Sequence, residues 1–252
     1  MVLSEKRRNL LLLLLDSPKT LSEIREALLV TSSGIIPQIR KMEDYKLIYQ
    51  KERKHVLTEM GKVLAEYLQN FQKIQLIFGK DIKFWNEHNI SVIPHDFRLK
   101  LHELGNYEII KSTPTDLFRP NNEYMKNLLK ARWIKGVSSV LQENFLENIG
   151  VIADKNVCNS IIFKKEILEN LKETQKENLK KYLNYKNTSI MVCDEKIEID
   201  FTVTDFFLSI RLFLEDGTYD FHQNILSFDE SAIIWGKELF SYYEERSRNV
   251  RI

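Results

Sequence analysis

Apolar residues recur at helical spacing through residues 1–45, in three segments separated by polar breaks. The first segment is the leucine run Leu10–Leu15, which Ser4 is predicted to cap and which ends before Pro18. The second is a short helix that Ser22 is predicted to cap, with apolar positions at Leu21, Ile24, Leu28 and Leu29. The third carries one apolar stripe, made of Ile35, Ile39 and Met42.

Two short strands are predicted after these helices, near Leu47–Lys51 and Lys54–Thr58. The third helix begins at the hydroxyl-rich break Thr31–Ser33, where either type of hydroxyl can cap it. Three helices followed by a hairpin, in this order, predict a winged helix-turn-helix. In that arrangement the third helix enters the major groove of DNA and the hairpin is the wing.

The candidate DNA contacts fall on two surfaces. On the third helix, the side opposite the apolar stripe carries Arg40, which can pair bidentately with guanine, and Lys41, which suits a phosphate. The turn of the hairpin is rich in cations that a phosphate-contacting wing would need. The candidate DNA-binding residues are Ser32, Ser33, Ile36, Pro37, Arg40, Lys41, Lys51, Arg53 and Lys54. The alternative for any one basic helix face is that water alone covers it.

A long amphipathic helix is predicted from Thr58 onward, with Gly79 as a point where it is interrupted. Its apolar positions alternate in spacings of four and three and form a seam, made of Met60, Leu64, Tyr67, Phe71, Ile74, Phe78 and Trp85. The seam can pair with its copy in a homodimer, which readers of two DNA half-sites need. It can equally pack against its own domain.

Strands and helices alternate in the remainder of the chain. Predicted strands lie near residues 107–111, 133–141, 160–163, 189–193 and 197–204, and predicted helices near 122–129, 166–183 and 229–246. The fold class is therefore multidomain α+β, with a C-terminal α/β sandwich built on a mainly parallel or mixed sheet. The predicted domains are 1–90, with the connecting helix, and 91–252, an effector-sensing or regulatory domain.

Composition excludes several classes of protein. The chain of 252 residues is 43% hydrophobic with 8 Gly and 5 Pro, which indicates packed cores rather than disorder. Cys158 and Cys193 are too few and too far apart for a disulfide framework, and they fit a reducing cytoplasm. No apolar window approaches a membrane span. Residues 194–245 carry 13 acidic against 3 basic residues, so the DNA-binding surface is expected at the N-terminal end.

Signatures of catalysis and of cofactors are absent from the sequence. There is no glycine-rich phosphate loop and no nucleophile elbow. His88, His95 and His102 are spaced by seven, but Pro94 breaks the helix that would align them, so no metal site is predicted. Alternating acids, Glu195, Glu198, Asp200 and Asp205, fit solvent-facing strand positions. No enzyme activity and no cofactor are expected.

An effector pocket is predicted in the C-terminal domain, where large aromatic residues supply apolar walls. Arg211 stands between Ile210 and Leu212 and needs an acidic partner or an anionic ligand, with Asp205 the nearest acid in sequence. The candidate effector-binding residues are Asp205, Arg211 and Trp235. The alternative is that most of these aromatics are core and that Asp205 simply pairs with Arg211.

Several segments resemble known families. The segment Leu57–Lys62, L-T-E-M-G-K, is a hallmark of archaeal winged-helix regulators of the ArsR/MarR type, which the N-terminal half resembles. The C-terminal part resembles the sensor domain of the methanogenesis-regulatory family of archaeal transcription factors, through Trp133–Val140, Thr204–Ser209, Gly217–Asp220 and Ala232–Phe240. The resemblance implies a cytoplasmic dimeric transcription regulator. The sensor part is also similar to phospholipase D-like modules, but their H-x-K signature is absent at all five His, so hydrolysis is not implied.

Two functions from different classes follow. The first is a sequence-specific DNA-binding transcriptional regulator that responds to an effector, with double-stranded DNA, a second copy of the chain and a small molecule as partners. The alternative is a small-molecule-binding or enzymatic α/β protein whose winged helix makes protein contacts. The sequence does not define the operator, the effector or the sign of regulation.

Overall fold

The computed structural model describes residues 4–112, 122–141 and 145–250, apart from the side chains of residues 122 and 123. The chain divides into two compact units, Met1–Leu76 and Ile77–Ile252. The multidomain α+β fold class is thereby confirmed. The domain boundary predicted after residue 90, and the functions assigned to the two domains, stay predictions.

The N-terminal unit has the predicted winged helix-turn-helix arrangement. Its elements are α1 (Glu5–Asp16), β1 (Lys19–Thr20), α2 (Leu21–Leu28), α3 (Ser32–Asp44), β2 (Ile48–Lys51) and β3 (Lys54–Leu57), followed by α4 (Glu59–Lys80). The three strands form an antiparallel sheet in the order β1-β3-β2. Leucines of α1 pack with the apolar stripe of α3 in one buried cluster, which includes Leu10, Leu11, Leu14, Ile24, Ile35, Ile39, Met42 and Leu47.

The cap of α2 differs from the prediction. Thr20, not Ser22, begins the helix, because its hydroxyl accepts the N–H of Glu23 at 3.3 Å while Glu23 Oε2 accepts the N–H of Thr20 at 2.7 Å. This reciprocal capping box satisfies two of the free N–H groups at the helix start. Ser22 lies inside α2 and is exposed.

A close approach joins α4 to the hairpin. A Cβ added to Gly61 would lie 2.0 Å from the carbonyl oxygen of Leu47, so glycine is needed at this position. The same carbonyl accepts the backbone N–H of Thr58 at 3.0 Å and the Thr58 hydroxyl at 3.2 Å. These contacts give a physical reason for the threonine and glycine of the L-T-E-M-G-K segment.

The long helix is interrupted close to Gly79, the predicted point. It passes through Gly79 and breaks at Asp81, after which α5 (Ile82–Glu87) begins. Trp85 is buried and donates its Nε1–H to the carbonyl of Ile77 at 3.1 Å and to the hydroxyl of Tyr107 at 2.9 Å. The far end of the predicted seam therefore belongs to the core of the C-terminal unit.

The C-terminal unit is built on one eight-stranded mixed sheet. Its further elements are α6 (His95–Arg98), β4 (Glu108–Lys111), α7 (Asn122–Leu128), β5 (Trp133–Ser138), α8 (Phe145–Asp154), β6 (Cys158–Lys164), α9 (Lys165–Thr174), α10 (Lys176–Leu183), β7 (Thr188–Cys193), β8 (Ile199–Thr204), β9 (Leu208–Leu212), β10 (Gln223–Ser227), α11 (Glu230–Glu244) and β11 (Ser247–Asn249). The strand order is β11-β7-β6-β5-β8-β9-β10-β4, with β5, β6 and β7 parallel and the other neighbours antiparallel. The single helix predicted over residues 166–183 is two helices that meet at Gln175.

The two faces of the sheet are covered differently. On one face, α11 packs through Trp235 and Phe240 in a core with Phe201 and Ile210. On the other face, α8, α9 and α10 cover β6 and β7, and α7 packs near Phe207. On that second face, the central strands β5, β8 and β9 present mostly small or polar residues, and this is where a cavity forms.

Candidate functional site

The polar face of α3 is exposed as predicted. Thr31 caps the helix by accepting the N–H of Gly34 at 3.2 Å, and its hydroxyl lies 3.2 Å from that of Ser33. The candidate contacts Ser33, Pro37, Arg40 and Lys41 are exposed, and Ser32 and Ile36 are half-buried. The apolar stripe faces the core of the N-terminal unit, so the cationic side of α3 is free to meet a partner.

The wing ends in a tight turn that displays cations. Lys51 pairs with Lys54 across the hairpin, and Glu52 and Arg53 between them have φ of 49° and 64°. Positive φ at both central residues is the requirement of a two-residue turn that matches strand twist. All four side chains are exposed. The candidate wing residues Lys51, Arg53 and Lys54 therefore cluster at the hairpin tip.

One further cation lies at the start of α3. A Cβ added to Gly34 would come within 3.3 Å of Lys6 Nζ, so the ammonium of α1 stands beside the first turn of α3. Helix N-termini attract phosphate because their N–H groups are free. Lys6 is not among the residues predicted to contact DNA, although it belongs to the basic run Lys6–Arg8.

The C-terminal unit contains a cavity of about 310 Å³ between the sheet and the helices α7 and α8. Cross-strand pairing places Asp200 of β8 opposite Arg211 of β9. The same register puts Thr202 opposite Ser209 in the next row and Gly136 of β5 opposite Thr202. The floor of the cavity is therefore a polar row on an otherwise apolar sheet, whereas Leu128, Ile149 and Ile152 of the helices form an apolar roof.

The ionisable groups of the cavity floor are Asp200, Tyr219 and Arg211. The carboxylate of Asp200 accepts the backbone N–H of Ser139 at 2.7 Å, and burial raises the pKa of Asp200 to about 6. Burial, and then the negative charge of Asp200, raise the pKa of Tyr219 well above its usual value. No carboxylate of residues 4–112, 122–141 or 145–250 lies within ion-pair distance of Arg211. Arg211 therefore makes no close ion pair with the described residues, and Asp200 is the carboxylate opposite it on the neighbouring strand.

The predicted effector residues are not brought together. Arg211 lines the cavity, but Asp205 pairs with Arg132, whose Nε lies 2.7 Å from Asp205 Oδ2. The expected Asp205–Arg211 ion pair is therefore wrong. Trp235 is fully buried in the core on the other face of the sheet and donates its Nε1–H to the carbonyl of Phe97 at 3.2 Å.

Asp200 also corrects the sequence reasoning. The alternating acids predict a solvent-facing strand position for Asp200, whereas its side chain lines the cavity. The signal in the sequence is a repeated pattern, because Asp200 stands between Ile199 and Phe201 as Arg211 stands between two apolar residues. An isolated charge inside an apolar run indicates a charge that faces an interior site.

His88 has a structural position. It is fully buried, and its ring nitrogens lie 2.7 Å from the carbonyl oxygen of Phe84 and 3.0 Å from Asp220 Oδ2. Both oxygens are acceptors, so both ring nitrogens are placed to donate. His95 is exposed, and among the described residues no group of three potential metal ligands is found.

Comparisons with solved structures give partial likenesses. TrmBL2, an archaeal chromatin protein, is 17% identical, covers 97% of this chain and 93% of its own, and superposes with a TM-score of 0.46. NucT from Helicobacter pylori is 13% identical, covers 57% of this chain and 99% of its own, with a TM-score of 0.44. In the part of the chain that the structure describes, none of the helices is long and apolar enough to cross a membrane.

Comparisons of sequence are more specific. The Methanogenesis regulatory protein FilR1 of Methanothrix harundinacea (strain 6Ac) is 24% identical over 261 residues, which cover 98% of this chain and 56% of that relative. This chain thus spans little more than half the length of the relative. Residues 1–76 match the FilR1 N-terminal domain and residues 117–246 match the FilR1 middle domain. The predicted methanogenesis-regulatory resemblance is thereby confirmed, and the chain belongs to the family of the Methanogenesis regulatory protein FilR1.

Proposed function

We propose that this chain is a sequence-specific DNA-binding transcriptional regulator whose C-terminal cavity binds a small-molecule effector. The observation that carries the DNA-binding part is the exposed cationic face of α3 together with the exposed cationic tip of the wing. Membership of a regulatory family supports the same function.

Each candidate DNA-binding residue of α3 has a role in this proposal. Arg40 reads a guanine through two hydrogen bonds, because the guanidinium fork matches the O6 and N7 acceptors of that base. Ile36 meets a thymine methyl, and Ser33 and Pro37 line the groove beside it. Ser32 and the free N–H groups of the helix start face a phosphate, as does Lys41.

The wing contributes affinity rather than sequence information. Lys51, Arg53 and Lys54 lie at the tip of a rigid hairpin, where their charges neutralise backbone phosphates. Each phosphate contact releases counterions, so binding falls as salt rises.

A second copy of the chain is the partner proposed for α4. Met60, Val63, Tyr67 and Phe71 are exposed and recur at spacings of three and four along one side of the helix. Tyr67 alone is 73% exposed, and apolar stripes of this kind are usually covered in an assembly. A homodimer formed along this stripe would present two copies of α3 to two half-sites.

The effector part of the proposal rests on the cavity. A volume of about 310 Å³ with an apolar roof and a few polar groups on its floor is typical of a small-molecule site. Arg211 and Asp200 on that floor would supply the charged groups that orient a bound ligand.

A gel shift with the upstream region of the gene that encodes this chain tests the proposal. Retarded DNA is expected, with binding that weakens as salt rises. Arg53→Ala should lower the slope of log affinity against log salt by about 1, equally on all DNA sequences. Lys73→Ala is the matched control, because it removes an exposed cation from α4. If the wild-type chain retards no DNA at low salt, the DNA-binding function is wrong, and the winged helix instead contacts protein.

A further inference from the structure

Two opposite charges lie side by side on the floor of the cavity. The register pairs Asp200 of β8 with Arg211 of β9, and both side chains line the cavity. Glu108, the remaining charged residue of the lining in the described part of the chain, is exposed and lies on β4, two strands from Arg211. The two central charges therefore sum to zero. This dipolar pair, Asp200 and Arg211, matches a ligand that carries one positive and one negative group and has no net charge.

The hydroxyl of Tyr219 lies close to both members of the dipolar pair. Burial raises the pKa of Tyr219 most, the negative charge of Asp200 raises it further, and the positive charge of Arg211 lowers it. Tyr219 is 8% exposed, and its hydroxyl makes no hydrogen bond of good geometry within the described residues. A buried hydroxyl without such a bond is costly, so a molecule bound beside the pair would be stabilised by supplying one.

Each member of the dipolar pair can hold one charged group of the ligand. The carboxylate of Asp200 accepts the backbone N–H of Ser139 at 2.7 Å and has lone pairs left for an ammonium. The planar guanidinium of Arg211 matches the two oxygens of a carboxylate. Residues opposite each other on antiparallel strands have Cα atoms about 4.5–5.5 Å apart. An α-amino acid carries its ammonium and its carboxylate on one carbon, so it is compact enough to contact both side chains.

The floor beside the dipolar pair is open and then becomes apolar. Gly136 of β5 lies between Thr202 of β8 on one side and Ile161 of β6 on the other. A Cβ added to Gly136 would find its nearest neighbours at 3.6 Å and 3.8 Å, so the space above this glycine is free. Ile149 belongs to the apolar roof of the same cavity. A ligand held by the pair would therefore place an apolar group over Gly136, as glycine in a strand often permits.

We propose that the cavity binds a zwitterionic α-amino acid with an apolar side chain, with its ammonium on Asp200 and its carboxylate on Arg211. Such a ligand neutralises both charges of the floor and adds no net charge. This ligand class rests on the proposed effector function. It is narrower than that function, which any small molecule in the cavity would satisfy.

Thermal unfolding of the full chain at neutral pH tests the ligand class. The probes are free leucine, isoleucine, valine, methionine and phenylalanine, each compared with two analogues. The primary amide lacks the carboxylate, and the des-amino acid lacks the ammonium. At least one amino acid should raise the melting temperature, and neither of its analogues should do so at the same concentration. If none of the amino acids stabilises the chain, or if an analogue stabilises it as well as its parent does, the ligand class is wrong.

Variants locate the two charged contacts. Arg211→Gln and Asp200→Asn should each weaken the binding of the stabilising amino acid at least about tenfold, because a charge-assisted contact is lost. Asp200→Asn should also abolish the preference for the amino acid over its des-amino analogue, since the partner of the ammonium is gone. A preference that persists in Asp200→Asn would remove this residue from the site.

Two further kinds of variant complete the test. Gly136→Val should abolish binding by filling the floor, which keeps the test usable if Arg211→Gln does not fold. Arg132→Gln and Asp194→Asn remove matched charges from the surface of the same unit and should leave binding unchanged. Binding that survives all of the cavity variants would place the ligand elsewhere.

The ligand class and the regulatory function fail separately. A chain that shifts DNA in the gel but binds none of the amino acids refutes the ligand class alone. A chain that binds an amino acid at the dipolar pair but shifts no DNA refutes the regulatory function and leaves the ligand class standing.

Discussion

Replacing Gly61 with alanine tests how α4 is held against the wing. The added Cβ would lie 2.0 Å from the carbonyl oxygen of Leu47 and 3.0 Å from its carbon, both of them backbone atoms. Leu47 is fully buried, and its carbonyl already accepts two hydrogen bonds from Thr58. Neither partner can move without disturbing the hairpin or the start of the helix.

The size of the effect follows from three contributions, two that destabilise the variant and one that stabilises it. Overpacking of a well-packed site costs about 1–3 kcal/mol, and weakening the Thr58 hydrogen bonds adds about 1 kcal/mol. Alanine in place of glycine inside a helix stabilises by about 0.5–1 kcal/mol. The steric term is larger, so Gly61→Ala should destabilise the N-terminal unit by about 1–3 kcal/mol.

Gly79 provides the matched control, because it lies in the same helix and has no neighbour within 4 Å of an added Cβ. Gly79→Ala should stabilise the chain by about 0.5–1 kcal/mol. Urea unfolding followed by circular dichroism measures both variants. Tryptophan fluorescence reports the C-terminal unit alone, since Trp85, Trp133 and Trp235 all lie within it.

Circular dichroism and tryptophan fluorescence together show which of the two units is destabilised. For Gly61→Ala, the circular dichroism midpoint should fall while the tryptophan transition stays in place. Equal stabilisation by both alanines would refute the close approach of α4 to the hairpin.

Four further predictions concern other parts of the chain. Burial acts to raise the pKa of Asp220, but the hydrogen bonds from His88, the backbone N–H of His222 and Gln223, together with the charge of His88, outweigh burial and lower that pKa. This stabilisation is complete above a pH of about 4 and is lost on acidification, so Asp220→Asn should reduce the acid sensitivity of urea unfolding. The stability contributed by Asp200 changes with pH in the opposite direction, because folding raises the pKa of Asp200 to about 6. The folded state therefore loses stability as the pH rises from about 4 to about 6. Asp200→Asn should be more stable than wild type at pH 8, by up to about 3 kcal/mol, but not at pH 3. Tyr67→Glu should convert a sedimenting dimer into a monomer, and a wild-type monomer at micromolar concentration would contradict the α4 interface. Lys6→Ala should lower the salt slope of DNA binding by about 1, and an unchanged slope would remove Lys6 from the interface.

The periodicity of apolar residues predicted the N-terminal unit well, because its contacts are local in sequence. The stripe of Ile35, Ile39 and Met42 needs only helical spacing to face the core. The cap of α2 was missed although its signal is local, since Thr20 and Glu23 have the spacing of a capping box and Ser22 has no partner of that kind.

The cavity was harder to predict because it depends on strand register. Asp200 and Arg211 are eleven positions apart in the sequence, and the register of β8 with β9 sets them opposite each other. Sequence proximity favoured Asp205 instead, which a surface arginine holds. The position of Gly136 on the cavity floor likewise depends on the neighbouring strand, because its pairing with Thr202 places it there.

The helices of the C-terminal unit show a second limit of prediction from sequence patterns. The segment Glu166–Leu183 keeps a helical pattern across Gln175, where the backbone turns between two shorter helices. The helix Phe145–Asp154 was not predicted at all, because its run of apolar residues has no clear cap in the sequence. Tertiary packing on the sheet decides both outcomes.

The central claim is that α3 reads a DNA sequence, and the most direct measurement is the preference of the chain for one sequence over another. Fluorescence anisotropy at one fixed salt concentration would compare its affinity for the upstream region with that for a shuffled duplex of equal length. The wild-type chain should prefer the upstream region, Arg40→Ala should lose about tenfold or more of that preference, and Lys73→Ala should keep it. Equal affinity of the wild-type chain for both duplexes, or an unchanged preference in Arg40→Ala, would contradict the account.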